Sequence, residues 1–357
     1  MTPQPRVLFT CGKEGEYVRN LLLRRALRQH FDVLEVIDHH PGSLLARNLR
    51  LIPRLLGTLR NEYDLIFVGF YGYLLTLLLS RLTHKPILFD AFLSNWDTLC
   101  FDRRRFRPDS VRGKLAYTLD QQACSAARHC LLDTETHGRY FVDTFGVPES
   151  RVSAFYLGYD QELFYPRPEV TTGGPFTVFY YGSFVPLQGI EHIVQAAKLL
   201  EADKDIAFHI IGEGMTHPRV RHLAEELQVE RLTLHQCVPY EELPSAIAPA
   251  TVCLGGPFGS SAKASRVIAG KTFQFLAMAK ATIVGDSPAN REVLHHGEDV
   301  FMCQMANAQA LASAILELKR DASLRAHIAQ RGYELCREQF SIEKQGLRLQ
   351  QVIRDML

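Results

Sequence analysis

The chain has 357 residues, 46% of them hydrophobic and 22% charged, with a net charge of +1. That length exceeds what one hydrophobic core commonly serves, so two domains are expected, and the balanced charge excludes a globally basic nucleic-acid binder. Its eight cysteines include no Cys-x-x-Cys pair, which argues for reduced, mostly buried thiols rather than a disulfide framework.

The opening residues, MTPQPRVLFTCG, carry no apolar stretch of signal-peptide length, so a cytoplasmic location is expected. RVLFTCG predicts a first strand ending in glycine, and apolar residues at 18, 21, 22 and 26 predict a helix after it. DVLEVID predicts the second strand. A basic amphipathic stretch follows from Leu44 to Leu59, with Arg47, Arg50, Arg54 and, just beyond, Arg60 set among leucines. That pattern suits a helix with one core face and one solvated face, or a helix resting on anionic membrane. DLIFVGF and PILFDAF are the next strands, separated by a helix over Leu74 to Leu82. The longest apolar segment, DLIFVGFYGYLLTLLLSRL, is interrupted by Gly69 and Gly72. It falls short of the roughly 20 apolar residues of a membrane span, so a buried strand and a buried helix are expected there.

A linker is expected at GYDQELFYPRPEVTTGGPF, residues 158 to 176, where three prolines and two adjacent glycines collect. Beyond it the alternation restarts. FTVFYYG, IAFHIIGEG, LTLHQCV, TVCLGG and ATIVGD read as strands. Helices are predicted over Ile190 to Leu200, near 219 to 228, near 241 to 248, over Lys271 to Ala279 and over about 341 to 356. Continuous apolar strands between helices predict parallel sheets covered on both faces: two doubly wound α/β domains.

Ligands of such sheets bind at the carboxyl ends of the strands. Four loops there are glycine-rich or charged: YYGSFVPLQGIE, IIGEG, LGGPFGSSAKASRVIAGK and VGDSPANRE. Gly182 at a strand end and Gly189 before a helix suit a phosphate held by backbone N–H groups, although this is neither a dinucleotide fingerprint nor a Walker loop. The segment SSAKASRVIAGKTFQF, residues 260 to 275, adds Lys263, Arg266 and Lys271, with no acidic residue between Ser260 and Lys280. Lys271 falls in the first turn of a helix, where a cation opposes the macrodipole unless an anion is bound. Gln274, three residues on, shares its face. A nucleoside diphosphate would answer both, with phosphates on the cations and a ribose diol on Gln274. The plainer reading is a loop of solvated cations.

Most of the chain, and most strongly residues 176 to 295, resembles glycosyltransferase family 4. The resemblance rests on YYGSFVPLQGIEHIVQAAKLL, FHIIGEG and GKTFQFLAMAKATIVGDSPANREVL in order. YLGYDQELFYP, LFDAFLSNWDT and LLDTETHGRYF support it. It implies the GT-B fold: two Rossmann-like domains facing a central cleft. Residues 1–165 would bind the acceptor and 170–338 the nucleotide sugar, with a helix of about 340–357 packing back on the first domain. It further implies a metal-independent, retaining transfer from a UDP- or GDP-linked sugar to an acceptor hydroxyl, with no other cofactor, in polysaccharide, glycolipid or other glycoconjugate synthesis. The acceptor would be a glycan, a lipid-linked sugar or a small molecule, reached in the cytoplasm or at the inner face of a membrane.

By the same resemblance the donor side comprises Gly182, Ser183, Gln188, Glu213, Lys263, Arg266, Lys271 and Gln274. The family often places an arginine and a lysine where this chain has Ser183 and Gln188, and a Glu pair where it has Arg266 and Gln274. Lys263, Arg266 and Lys271 would then supply from one loop the charge missing from the other. On the acceptor side, Gly12 and Lys13 occupy the first loop. Asp90, at the end of PILF, is the candidate to orient or deprotonate the acceptor hydroxyl, or else a loop-bracing aspartate. The Asp-x-Asp of Asp203 and Asp205 falls at the wrong end of a strand for a donor site. His39–His40 and His295–His296 have no partner at metal-ligand spacing, and no metal is expected. Two rivals remain: a catalytically weak nucleotide-sugar-binding or regulatory protein, motivated by the missing Glu pair, and a sugar-nucleotide epimerase. A dinucleotide dehydrogenase is disfavoured because neither half carries the fingerprint.

Overall fold

The computed structural model describes residues 4–40, 42–167 and 174–357; residues 168–173 of the expected linker lie outside them. The chain divides into two compact units, residues 1–157 with 342–357, and residues 158–341.

Unit 1 is a six-stranded parallel sheet of β1 (Arg6–Cys11), β2 (Asp32–Val36), β3 (Leu65–Gly69), β4 (Ile87–Phe92), β5 (His129–Leu132) and β6 (Val152–Ala154). Its order is β2-β1-β3-β4-β5-β6. The connecting helices are α1 (Val18–Arg28), α2 (Leu44–Thr58), α3 (Tyr73–Leu82), α4 (Val111–Ala126) and α5 (Glu135–Phe145). LIFVG of β3 is buried along its whole length, as a strand covered on both faces must be. Leu51 and Leu55 of α2, Leu75 and Leu79 of α3, Ala123 of α4 and Phe141 of α5 fill one core with the sheet.

Unit 2 repeats the plan. Its strands are β7 (Phe176–Tyr181), β8 (Ile206–Ile211), β9 (Leu232–His235), β10 (Val252–Leu254), β11 (Ala281–Gly285) and β12 (Phe301–Cys303), in the order β12-β11-β10-β7-β8-β9. Around them run α6 (Ile190–Leu199), α7 (His217–Glu226), α8 (Leu243–Ile247), α9 (Gly270–Ala277), α10 (Pro288–Arg291), α11 (Ala308–Arg320) and α12 (Ala322–Gln339). The final helix, α13 (Ile342–Met356), belongs to unit 1. Its Ile342, Leu349 and Ile353 join Leu22, Leu23 and Leu27 of α1 in a second core on the opposite side of the first sheet. Each such side chain contributes about 1.5–3 kcal/mol by leaving water.

The expected doubly wound α/β architecture is therefore present in both halves. Three differences have physical causes. Residues 158–165, read from sequence as the end of the first domain, sit with unit 2: Tyr159 N–H donates to Phe340 O (3.4 Å) and the Phe164 ring lies 5.4 Å from Tyr240. The basic stretch is helical, but its arginines are not a free face. Arg47 is 2% exposed, bonded to Gly12 O (3.3 Å) and Glu14 (2.6 Å). Arg50 grips Asp38 (2.6 Å) and Arg54 bonds Ile37 O (2.8 Å). Thirdly, β5, β6 and β12 and helices α4, α5 and α10 are present beyond the elements predicted above. No helix of the described residues is long and apolar enough to cross a membrane.

Candidate functional site

In an order of β10-β7-β8, the chain leaves β7 in one direction and returns to β10 on its other side, so a crevice opens between the loops that follow β7 and β10. Those loops are in direct contact. Phe258 N–H donates to Gln188 O (3.2 Å) and Gly259 N–H to Leu187 O (3.0 Å). Gly189 holds this junction at φ 62°, and a Cβ there would stand 2.5 Å from the backbone of Phe258 and Gly259. Gly189→Ala is therefore expected to cost about 2 kcal/mol of stability through combined left-handed strain and backbone clash. A urea titration checks this; an unchanged midpoint would mean the junction yields freely.

Helix α9 begins at the crevice. Its N-cap, Ala269, offers no side-chain bond, and no acidic residue lies in the first turn; Thr272 N–H bonds Ala269 O (2.9 Å), and no side chain offsets the partial positive charge of the helix start. Lys271 follows immediately and is 6% exposed. Its Nζ donates to Gln188 Oε1 (2.5 Å) and lies 3.4 Å from Tyr180 Oη and 4.5 Å from the Tyr180 ring centroid. Tyr180 Oη donates to the same Gln188 oxygen (3.1 Å). A Cβ on Gly182 would stand 3.3 Å from Nζ, so Gly182 leaves the ammonium its space. Burial pushes the Lys271 amine down to about 7, since the neutral amine is the form that desolvation favours.

The structure thus joins Gly182, Gln188 and Lys271 and adds Tyr180, a residue of β7. Gln274 is 3% exposed; its Nε2 donates to Tyr240 Oη (3.2 Å), while its Oε1 is buried with no hydrogen-bond partner. Tyr240 was likewise missed, because nothing in local pattern links residue 240 to helix α9. Ser183 is exposed, and so is Glu213, whose backbone carbonyl accepts from Phe184 N–H (2.8 Å). Glu213 also borders a cavity of about 680 Å³ that Gly212, His217, Leu234 and His235 help to line. Lys263 is buried and Arg266 half-buried, in a short turn packed against α10.

In unit 1, Asp90 requires correction. It does not face solvent at the strand end: it is 0% exposed, with both oxygens engaged by Arg19 at 2.6–3.0 Å. Arg19 also donates to Phe155 O (3.0 Å) and stacks 4.4 Å from the Phe92 ring centroid. A carboxylate locked in this way braces the sheet rather than exchanging protons with a substrate. Gly12 is a close-approach position, but toward its own unit: a Cβ would lie 2.1 Å from Tyr71 O. Lys13 pairs with Glu14 (2.9 Å). Asp203 and Asp205 flank Lys319 at 2.5 and 3.7 Å, and His295 pairs with Asp299 (3.0 Å). Among the described residues, no group of three or more His, Cys, Asp or Glu side chains is placed to hold a metal.

Residues 175–321, most of unit 2, match the family described as Glycosyl transferases group 1. No curated protein matches the chain in sequence. Several solved structures match along nearly its whole length. HepE from Anabaena, solved in complex with UDP-glucose, has a TM-score of 0.76 at 14% identity, covering 98% of this chain and 100% of that one. Sucrose-phosphate synthase from Thermosynechococcus elongatus gives 0.75 at 16%, covering 99% of each. A glycosyltransferase from Rickettsia africae gives 0.70 at 12%, covering 99% and 98%. The fold is the GT-B fold shared with these structures.

Proposed function

We propose that the chain is a retaining, metal-independent glycosyltransferase of family 4. It would move a sugar from a nucleoside-diphosphate donor, UDP- or GDP-linked, to an acceptor hydroxyl in the cytoplasm or at the membrane's inner face. The observation that carries this reading is the placement of Lys271 Nζ at the switch-point crevice, beside Gly182 and at the uncapped start of α9. A buried cation beside a helix start that no side chain caps suits the diphosphate, and it would stabilise the charge that develops there as the sugar leaves. HepE, whose fold this chain shares, was solved with UDP-glucose, which favours UDP as the first donor to test. Unit 1 would present the acceptor, but Asp90 is no longer its base.

The test is a thermal-shift screen of UDP-, GDP-, ADP- and dTDP-sugars, followed by product analysis with and without acceptors. A raised melting temperature with one donor class, and sugar transfer or donor hydrolysis, is the expected result. No shift with any donor would overturn the reading. A second reading, a nucleotide-sugar-binding protein without turnover, is favoured by one observation. Gln274 stands where the family carries a glutamate, and its amide is already tied to Tyr240. Binding without turnover across donors would select it, and conversion of donor alone to an isomeric sugar nucleotide would instead indicate an epimerase.

A further inference from the structure

Charge is unevenly spread along the chain. Residues 44–115 contain twelve Lys and Arg against six Asp and Glu, a net of +6 in a chain whose total is +1, so the remainder carries −5. Of those six acids, Asp90, Asp97 and Asp102 are buried. Glu62 and Asp64 sit at the amino end of β3 with Arg6, and Asp109 pairs with Arg107. Arg104, Arg105, Arg107, Arg112 and Lys114 are exposed together.

The same region holds nine of the fifteen exposed large apolar side chains among the described residues. The most prominent are Leu45 (63%) and Leu49 (60%) on α2, Val111 (84%) and Leu115 (67%) on α4, with Leu74 on α3 and Phe101 beside them in sequence to the arginines. Helix α3 packs against both α2 and α4, so the three form one layer over the sheet. Leu45, Leu74 and Val111 each fall in the first turn of their helix. In a parallel βα unit that turn lies at the carboxyl edge of the sheet, the edge that also carries Gly12 and Lys13. Asp120 of α4 ties that helix to the loop after β4, accepting from Ser94 Oγ (2.7 Å), Asn95 Nδ2 (2.8 Å) and Trp96 N–H (2.9 Å).

We propose that the outer side of the α2–α3–α4 layer docks on an anionic lipid bilayer. Apolar side chains spread over three helices, with cations between them, match a surface that offers phosphates outside and acyl chains beneath. The cationic part of the contact is thus carried by α4 and its preceding segment, not by the arginines of α2, which are engaged in bonds within unit 1. Docked in this way, the carboxyl edge of the first sheet meets the headgroup layer, where a lipid-linked acceptor would be presented. Lipid binding itself is independent of the donor reading.

The test is cosedimentation of the full chain with phosphatidylcholine vesicles and with vesicles that also contain phosphatidylglycerol. Binding only to the anionic vesicles, weakening with salt, is expected. An exposed cation near an anionic leaflet is worth about fivefold in partitioning, so Arg104→Glu with Arg105→Glu and Arg107→Glu should weaken binding on the order of a hundredfold. Val111→Asp with Leu115→Asp should weaken it roughly tenfold or more. All five positions are exposed, so unchanged melting of both variants is the folding control. No binding to anionic vesicles, equal binding to neutral ones, or variants that melt and bind like the parent would each overturn the proposal. A donor-screen failure with lipid binding intact would count against the transferase reading alone.

Discussion

Lys271→Ala is expected to weaken nucleoside-diphosphate binding about 10- to 150-fold, the value of roughly 1.5–3 kcal/mol for a charge-assisted bond to phosphate. Calorimetric titration with UDP and UDP-glucose reads the loss, and undiminished affinity would remove Lys271 from the donor site. The same lysine imposes a pH signature. Its folded value, about 7, lies below the unfolded 10.5, so the unfolded chain binds more protons between these limits. The ligand-free protein should therefore gain stability as pH rises from about 7 toward 10.5. Binding runs the other way, because a diphosphate favours the ammonium. Donor affinity should fall as pH rises above 7, toward a limit of tenfold per unit, with proton uptake on binding. UDP-glucose suits this measurement because neither phosphate of a UDP-sugar titrates in that range. Pairing Lys271→Ala with the pH series separates its proton from any other: the variant should lose the slope as well as the affinity.

Asp90→Ala is expected to destabilise unit 1 by about 3–5 kcal/mol, the usual consequence of removing one partner of a fully buried ion pair. Arg19 and Asp90 are both 0% exposed, and the guanidinium would be left charged in a dry core. Replacing both, Arg19→Met with Asp90→Leu, should recover most of the loss, since a hydrophobic pair pays no desolvation. Urea unfolding of the three variants checks the sign of the coupling. An Asp90→Ala protein that unfolds like the parent yet has lost turnover would restore Asp90 as a proton-transfer group.

Much of the architecture was legible because covered strands write themselves as unbroken apolar runs: LIFVG and ATIVG are buried at every position. The three residues of β6, Val152–Ala154, are only half-buried and include Ser153, so they write no apolar run. Helix α4, with its exposed Val111 and Leu115, does not follow the inward-apolar pattern that a sequence reading relies on. The loops of the crevice were legible from their glycines and from unneutralised charge. Side-chain partners were not. Arg19 and Asp90 are 71 residues apart, and Lys271 and Gln188 are 83 apart. No local periodicity encodes which of many polar residues meet across that separation. Asp90 looked reactive because a lone carboxylate at a strand end ordinarily meets solvent, and its counter-charge lay on α1, five elements earlier in the chain.

Helix α13 gives the molecule an order of assembly. Unit 2 is one continuous stretch, residues 158–341, whereas unit 1 is completed only by residues 342–357. During synthesis the first 157 residues emerge with α1 on that side of their sheet but without α13 beside it, and they stay so while the whole of unit 2 is made. Gly346, whose missing side chain leaves room for Ala26 O and Gln29, seats the closing helix only at the end. The half of the protein translated first is thus the half that finishes folding last. Its exposed α1 groove is the surface that a nascent-chain chaperone would have to shield in the interval.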